Sequence, residues 1–125
     1  MKKIFLTEDD KKSKGHYSPA IEHNNLLYIS GQLPLHRGQT NPSSNSITDQ
    51  TQLVLEKLDA ILKAAGSKKE NVLKVTIYVT DLAFWEKVNS IYGTFFSDHR
   101  PARTIVPVKE LHYDCLLELD AIAFK

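Results

Sequence analysis

The sequence predicts an α+β fold, in which a mixed β-sheet carries two helices on one face. Two observations indicate this class. Apolar residues recur at helical spacing in two separate segments, and they alternate with polar residues in several shorter segments around them. The segments follow one another in the order β-β-β-α-β-α-β-β. Each strand–helix–strand unit favours a right-handed crossover and a parallel pair, whereas hairpins give antiparallel pairs, so the sheet should be mixed.

Three strands are predicted ahead of the first helix. The segment Lys3–Thr7 is predicted as an edge strand, and Tyr17–Glu22 and Leu26–Ser30 as the two strands of a hairpin. The turn between them reads HNN, and asparagine tolerates the positive φ that tight hairpin turns need. Residues 38–46, GQTNPSSNS, follow as a surface loop that leads into the first helix.

The first helix is predicted over Ile47–Ala65. One apolar stripe at helical spacing supports it, consisting of Val54, Leu58, Ile61, Leu62 and Ala65. Ser46, with Asp49 three residues later, resembles a capping box that has Asp in place of Glu or Gln. Gly66 is well suited to end the helix, because glycine readily adopts the left-handed conformation found after many helices.

The second helix is predicted over Ala83–Ser97, with Asp81 as its cap. Its apolar stripe consists of Phe84, Val88, Ile91 and Phe95, and the adjacent Trp85 is expected in the core or at an interface. Between the two helices, Val72–Thr80 is predicted to be a strand because its residues alternate in polarity. The apolar set, expected to face the core, is Leu73, Val75, Ile77 and Val79.

Two further strands, Arg103–Val108 and Cys115–Phe124, complete the predicted sheet. The last strand is apolar on both faces, with Leu117, Leu119, Ala121 and Ala123 on one and Leu116, Ile122 and Phe124 on the other. Two helices cover only one face of such a sheet, so the second apolar face needs another cover. A further copy of the chain is the simplest one, and the sequence therefore predicts an oligomer.

The composition is that of one globular domain spanning residues 1–125. Hydrophobic residues make up 42% and charged residues 25%, and the formal net charge of +1 gives no long-range attraction to nucleic acid or membranes. The single cysteine excludes an intrachain disulfide and a zinc site built from thiolates. No apolar run is long enough for a signal-peptide core or a membrane span, so we expect a cytoplasmic protein.

The charged residues of the last two strands raise a question of chemistry. Arg103 begins one strand, and Glu118 and Asp120 lie among the apolar residues of the other. A carboxylate in that setting costs on the order of several kcal/mol unless it is paired, hydrogen-bonded or hydrated. If the two strands are neighbours, the cation and a carboxylate could share one cleft. Spacing alone leaves open a structural ion pair, two solvated edge charges or a ligand site.

Five segments along the chain read GHYSPAI, LLYISGQLPL, VTIYVTDLAFWEKVNSIYGTFF, RPARTIV and LLELDAIAFK. In this order they resemble the RidA family, also called YjgF/YER057c/UK114, and the resemblance extends from near Gly15 to the C-terminus. It implies a chorismate-mutase-like α+β fold assembled as a homotrimer, with active sites in clefts between subunits. It also implies hydrolysis of reactive 2-imino acids, formed from 2-aminoacrylate and its relatives, to 2-oxo acids and ammonia.

The resemblance implies three catalytic residues. Arg103 matches the family arginine that grips the substrate carboxylate, a role that suits the planar fork of a guanidinium. Glu118 matches the glutamate thought to position or activate the attacking water. Tyr17 matches a tyrosine that lines the cleft.

Substrate-binding residues are implied in the same way. Asn89 matches a polar residue near the cleft, and Ser30 and Gly31 match a segment where the missing Cβ lets a ligand approach the backbone. Ile105 stands where many members place a cysteine, and it is expected to shape the pocket wall. Neither a metal nor an organic cofactor is implied, and the five histidines include no pair at metal-binding spacing.

Some positions depart from the family pattern. Pro19 replaces a common glutamine, His112 replaces a usual proline, and Arg100 directly precedes Pro101. These departures lie around the expected cleft, so they bear on substrate choice more than on the fold.

Two other functions are kept as alternatives. One is a non-catalytic, regulatory module that binds small carboxylates through the same arginine. The other is RNA binding or endoribonuclease activity, with which the family has been associated. The near-neutral charge and the lack of a basic, aromatic-rich stripe argue against strong RNA binding.

Overall fold

A computed structural model describes all residues 1–125. Its regular elements, in chain order, are β1 (Lys2–Ile4), β2 (Ala20–His23), β3 (Leu26–Gln32), α1 (Ile47–Ala64), β4 (Val72–Val79), α2 (Trp85–Phe96), β5 (Ala102–Pro107) and β6 (Leu117–Phe124). The predicted α+β class and the predicted order of strands and helices are confirmed. Neither helix is long and apolar enough to cross a membrane.

The six strands form one sheet in the order β1-β2-β3-β6-β4-β5. β4 and β5 pair in parallel, and every other pair is antiparallel. β3 and β4 run in the same direction but do not touch, because β6 lies between them. β4 in turn separates β5 from β6. The strands that carry Arg103 and Glu118 are therefore not neighbours, and within one chain these two residues share no cleft.

The β2–β3 hairpin turns on its two asparagines, as predicted. Asn24 and Asn25 have φ values of 50° and 66°. The observed bounds of β1 and β2 differ from the predicted ones. β2 begins only at Ala20, because Pro19 has no N–H to give to the strand ladder. β1 ends early because Thr7 caps a 3-10 turn that follows it.

Capping interactions fix both ends of α1. The Ser46 hydroxyl oxygen accepts from the Asp49 N–H at 3.3 Å. The Asp49 carboxylate accepts from the Ser44 hydroxyl instead of reaching back to Ser46, so only half of the predicted capping box forms. At the other end Gly66 has φ +76°, and its N–H donates to the Lys63 carbonyl at 3.0 Å. Gly66 thus ends the helix as predicted.

α2 begins two residues later than predicted, at Trp85. The preceding residues, Leu82–Phe84, form a 3-10 turn, and the Asp81 carboxylate caps that turn by accepting from the Ala83 N–H at 2.8 Å. The tighter turn brings the chain into α2 with Trp85 in its first turn.

Both helices pack on one face of the sheet around a cluster of 22 buried residues. β6 contributes Leu117, Leu119, Ala121 and Ala123 to this core, each at most 2% exposed. Its remaining side chains point to the opposite face, which no other element of the protomer covers. Tyr28 and Phe124 accordingly remain 45% and 39% exposed. We refer to this side of the sheet as the uncovered face.

The alternation predicted for β4 is wrong at Leu73, which was expected to face the core. Leu73 is 44% exposed, whereas Val72 is fully buried. A β-bulge explains the exchange, because Val72 pairs with Ala123 and Lys74 pairs with the adjacent Ile122. The extra residue on β4 is Leu73, which the bulge turns away from the core. Beyond the bulge the alternation is as predicted.

Candidate functional site

The residues singled out by the sequence lie in two polar clusters on opposite faces of the sheet. Arg103 pairs in register with Val75, which faces the helices. Glu118 pairs with Tyr78, whose side chain lies on the uncovered face. Directly paired residues of neighbouring strands point to the same side, and Val75 and Tyr78 are an odd number of residues apart. The sheet therefore separates Arg103 from Glu118 within one protomer.

The arginine cluster consists of Arg103 and three residues of α2, namely Trp85, Asn89 and Tyr92. The guanidinium Cζ lies 4.7 Å from the ring centroid of Trp85 and 4.7 Å from that of Tyr92. Seven residues of α-helix rise about 10.5 Å, so the two rings come from positions about two turns apart on α2, and both reach the same guanidinium. Nη1 of Arg103 donates to Asn89 Oδ1 at 3.0 Å.

No carboxylate balances the charge of Arg103. The ion pairs of the protomer do not include it, and its one side-chain hydrogen bond goes to a neutral amide. A guanidinium has five N–H donors, so most of them are available to a ligand. Burial raises the pKa of Tyr92 to about 12, against the opposing effect of Arg103. Tyr92 thus stays neutral and provides no counter-charge.

Gly31 and Glu118 form the centre of the glutamate cluster, on the uncovered face. β3 and β6 change register here, because Ser30 and Gly31 together oppose only Asp120. The Ser30–Gly31 segment is therefore a β-bulge inside β3, not the end of the strand as predicted. A Cβ on Gly31 would overlap Oε1 of Glu118, so only glycine leaves room for the carboxyl group in this position.

The electrostatic surroundings of Glu118 favour its neutral form. Burial raises the pKa of its carboxyl, Asp120 raises it further, and the imidazole of His112 opposes the shift. Asp120 is engaged already, since the Tyr78 hydroxyl donates to its Oδ2 at 3.1 Å. No side chain or backbone N–H of the protomer donates to the carboxyl group of Glu118. A carboxyl of raised pKa without a fixed partner is suited to exchanging protons with a ligand.

Ser30 ties the glutamate cluster to the segment that follows Tyr17. Its hydroxyl donates to the Ser18 carbonyl at 2.7 Å, and its N–H donates to the Pro19 carbonyl at 3.0 Å. Tyr17 itself precedes β2, and its side chain is 61% exposed with the ring against Gly15. The protomer therefore brings the backbone beside Tyr17 to the bulge and leaves its ring accessible.

The remaining candidate, Ile105, lies on the helix-covered face with Arg103 and is partly buried against the core. His112 lies in the loop between β5 and β6, where its ring stacks on Tyr113 with centroids 3.8 Å apart. Of the departures from the family pattern, His112 thus acts on the charge of Glu118, whereas Pro19 contributes its carbonyl to Ser30.

The sequence analysis did not assign Trp85 or Tyr92 to a site. Trp85 is not a core residue, since it is 37% exposed and contacts Arg103. Tyr92 is buried but lies outside the predicted apolar stripe of its helix. A signal for both existed in the spacing of Trp85, Asn89 and Tyr92 at i, i+4 and i+7, which places them on one side of α2.

The two clusters differ in the chemistry they can perform. The arginine cluster can bind a planar anion such as a carboxylate through two parallel hydrogen bonds. The glutamate cluster can accept or donate a proton, and its glycine leaves room for the carboxyl that does so. No three or more His, Cys, Asp or Glu side chains come together in a way that could hold a metal ion.

Known proteins resemble this chain over nearly all of its length. The family model described as Endoribonuclease L-PSP matches residues 7–125. A RutC family protein of Pyrococcus horikoshii is 42% identical over 125 residues, which cover 100% of this chain and 99% of that protein. Reactive Intermediate Deaminase A, chloroplastic, of Arabidopsis thaliana is 38% identical over 122 residues, which cover 98% of this chain and 65% of that protein.

Among solved structures, E. coli TdcF with bound serine superposes with a TM-score of 0.88 at 31% identity. The superposition covers 100% of this chain and 99% of TdcF. The fold, the matched length and the level of identity agree with the five sequence segments quoted above. The chain therefore belongs to the RidA family, whose matching family model is described as Endoribonuclease L-PSP.

Proposed function

We propose that this protein is a cofactor-independent deaminase, which hydrolyses reactive 2-imino acids and their enamine forms to 2-oxo acids and ammonia. One observation carries the proposal. The protomer holds an unbalanced guanidinium on one face of the sheet and an unpaired carboxyl of raised pKa on the other. The relative named Reactive Intermediate Deaminase A supports the reaction type, and the serine bound to TdcF supports a small carboxylate ligand.

Arg103 binds the substrate carboxylate in this proposal. Its guanidinium is fixed by Asn89 and two rings, and it keeps N–H donors that make parallel hydrogen bonds to both carboxylate oxygens. Holding the substrate at this end orients the imine carbon for attack. Ile105, on the same face, forms part of the surrounding wall.

Glu118 provides the proton transfers. The carboxylate takes a proton from water while the water oxygen bonds to the carbon of the protonated imine, and the C=N π electrons move to nitrogen, which gives a neutral carbinolamine. The carboxyl then returns this proton to the nitrogen. As the C–N bond breaks and the C=O bond forms, the hydroxyl proton passes to the Glu118 carboxylate, and ammonia leaves and takes that proton away as ammonium, so that a 2-oxo acid and the ionised carboxylate remain. General acid–base help of this kind contributes roughly 10²–10⁴-fold. Gly31 and Ser30 let the substrate lie against the backbone of the bulge, and Tyr17 closes the cleft.

The two clusters must come from different subunits, because the sheet separates them within one. β5 is an edge strand, so Arg103 lies at the rim of the protomer, whereas Glu118 lies on the uncovered apolar face. Packing the rim of one subunit on the uncovered face of the next joins the clusters and covers that face. We propose that three subunits assemble in this way into a closed homotrimer.

The proposal is tested by generating the 2-imino acid in place. An L-amino-acid oxidase acting on L-alanine or L-2-aminobutyrate supplies it, and the initial rate of 2-oxo acid release is measured with and without the protein. We expect wild-type protein to accelerate release and Arg103→Ala to remove the acceleration, a loss of roughly 10²-fold or more. Arg37→Ala removes an arginine that is already paired with Asp9 and Asp10, and it should leave the acceleration in place.

Other outcomes contradict the proposal in distinct ways. Wild-type protein that binds 2-oxobutyrate through Arg103 but leaves the rate of release unchanged is a carboxylate-binding module. Salt-dependent binding of single-stranded RNA, lost when surface lysines are changed to glutamate, instead supports the activity after which the family model is named. Full activity of Arg103→Ala refutes the assignment of the site.

A further inference from the structure

Three side chains on one side of α2 contact the same arginine. Trp85, Asn89 and Tyr92 all contact Arg103, and they follow one another at helical spacing across two turns. We refer to Trp85 and Tyr92 as the aromatic clamp. The faces of aromatic rings attract a guanidinium electrostatically, and tryptophan does so most strongly.

The aromatic clamp holds the cation without neutralising it. An aspartate or glutamate in the place of either ring would orient the guanidinium equally well, but it would occupy the N–H donors that a carboxylate ligand needs. The guanidinium carbon lies over the two rings, which occupy none of the N–H donors that a carboxylate needs, and Asn89 takes one N–H. The positive charge and the remaining N–H donors therefore stay available.

We infer that Trp85 and Tyr92 are positioning residues for substrate binding, which fix the plane of the Arg103 guanidinium and leave its charge free for the carboxylate. The inference rests on the proposed function in one respect, that the ligand of Arg103 is a small carboxylate. The role of both residues is indirect, because they act through Arg103.

The two rings of the aromatic clamp are not equivalent. Tyr92 is 6% exposed, packs on Phe96 with ring centroids 4.7 Å apart, and has a buried hydroxyl without a hydrogen-bond partner. Only its ring is therefore used. Trp85 is 37% exposed and forms the outer side of the aromatic clamp. Removing the Trp85 ring should release the guanidinium without opening a cavity in the core.

The test separates binding from chemistry and from folding. We measure the Kd of 2-oxobutyrate by calorimetry, and KM and kcat for imine hydrolysis, in wild type, Trp85→Ala and Trp85→Phe. Trp85→Ala should raise Kd and KM about three- to tenfold with kcat unchanged, because one cation–π contact to the guanidinium is lost. Trp85→Phe retains a ring and should stay within about twofold of wild type.

One further variant is the control for folding, and two substitutions of Tyr92 separate the role of its ring from that of its hydroxyl. Leu82→Ala removes an exposed apolar side chain from the turn before α2 and should change neither Kd nor KM. Tyr92→Phe keeps the ring and removes only the unpartnered hydroxyl, so it should retain the affinity of wild type and unfold at no lower temperature. Tyr92→Leu removes the ring and should weaken binding.

A second measurement does not depend on the ligand. The chain has three arginines, Arg37, Arg100 and Arg103, so the Nε–Hε signals of arginine-labelled protein are readily assigned by NMR. The Arg103 signal should show ring-current shift and restricted motion in wild type and Leu82→Ala. Both features should be reduced in Trp85→Ala, in which only the Tyr92 ring and Asn89 still contact the guanidinium.

The outcomes distinguish this inference from the proposed function. If Trp85→Ala leaves Kd, KM and the Arg103 signal as in wild type, the aromatic clamp has no positioning role and the inference is wrong. An equal loss of kcat and affinity, together with a lower melting temperature, would assign Trp85 a structural role only. If wild type fails to hydrolyse imines while Trp85→Ala still weakens 2-oxobutyrate binding and mobilises Arg103, only the reaction is disproved.

Discussion

The two faces of β6 are built from alternate residues of one strand, yet the protomer covers only one of them with helices. The helix-covered face presents leucine and alanine residues that are at most 2% exposed. The uncovered face presents Glu118 and Asp120 between Leu116 and Ile122, and burial together with the neighbouring Asp120 raises the pKa of the Glu118 carboxyl. Packing within the chain is therefore concentrated on the first face, and no other element of the chain covers the second.

The largest difference between the faces should appear in stability. Leu119→Ala removes a side chain that is 1% exposed and leaves a cavity, so we expect it to lower the free energy of unfolding by about 2–5 kcal/mol. Ile122→Ala shortens a partly exposed side chain on the uncovered face, and about half that cost or less is expected. Urea unfolding at one protein concentration measures both.

Unfolding at several protein concentrations compares the two faces in a second way. If the uncovered face packs on another subunit, the midpoint of unfolding rises with protein concentration, and Ile122→Ala should reduce this rise more than Leu119→Ala does. Equal costs for the two substitutions in dilute protein, with no dependence on concentration, would mean that the faces do not differ as described.

A smaller effect is expected where the uncovered face carries chemistry. Gly31→Ala places a methyl group where Oε1 of Glu118 lies. The carboxyl is at the end of a flexible side chain and can move, so stability should fall by less than about 1 kcal/mol. Activity should fall by roughly tenfold or more, because a displaced carboxyl no longer reaches the attacking water. Thermal unfolding and the imine assay provide the two measurements.

Gly93 provides the matched control for this substitution. It lies in α2, and a Cβ there would meet no atom within 4 Å. Gly93→Ala should therefore stabilise the protein by about 0.5–1 kcal/mol, because alanine loses less backbone entropy in a helix, and leave the activity unchanged. If Gly31→Ala retains full activity, the position of Glu118 is not critical for the reaction.

The regular alternation of apolar residues in β6 made its two faces predictable. The β-bulges in the neighbouring strands were not predictable. The spacing of Leu117, Leu119, Ala121 and Ala123 was enough to identify the core side of the strand. The bulges at Leu73 and at Ser30–Gly31 were not predicted, because the residue inserted by a bulge has no signature in polarity alone. The second bulge is the one that brings Gly31 to Glu118.

Strand neighbours were predictable for the β2–β3 hairpin and for the pair joined through α2. The crossover through α2 gave the parallel β4–β5 pair, but nothing local to β3 or β4 indicates that β6 inserts between them. The apolar character of both faces of β6 was the available signal for a central strand. The separation of Arg103 from Glu118 follows from this order, and therefore only the structure revealed it.

The smallest expected effect is the contribution that the raised pKa of Glu118 makes to the pH dependence of stability. Between pH 4.5, the ordinary pKa of a glutamate, and its raised value, the folded chain keeps a proton that the unfolded chain has lost. Rising pH therefore favours the unfolded chain, and the free energy of unfolding falls through this window. The slope should stay below the ~1.4 kcal/mol per pH unit of one whole proton, because solvent screens a partly exposed group.

Urea unfolding across this window, in wild type and Glu118→Gln, isolates the contribution as the difference between two curves. The stability of wild type relative to Glu118→Gln should decline as pH rises above 4.5 and then level off. His112→Gln should extend the decline to higher pH, because the imidazole opposes the shift that burial and Asp120 cause. Parallel curves for wild type and Glu118→Gln would show that the uncovered face already satisfies this carboxyl, and the contrast with the helix-covered face would then rest on packing alone.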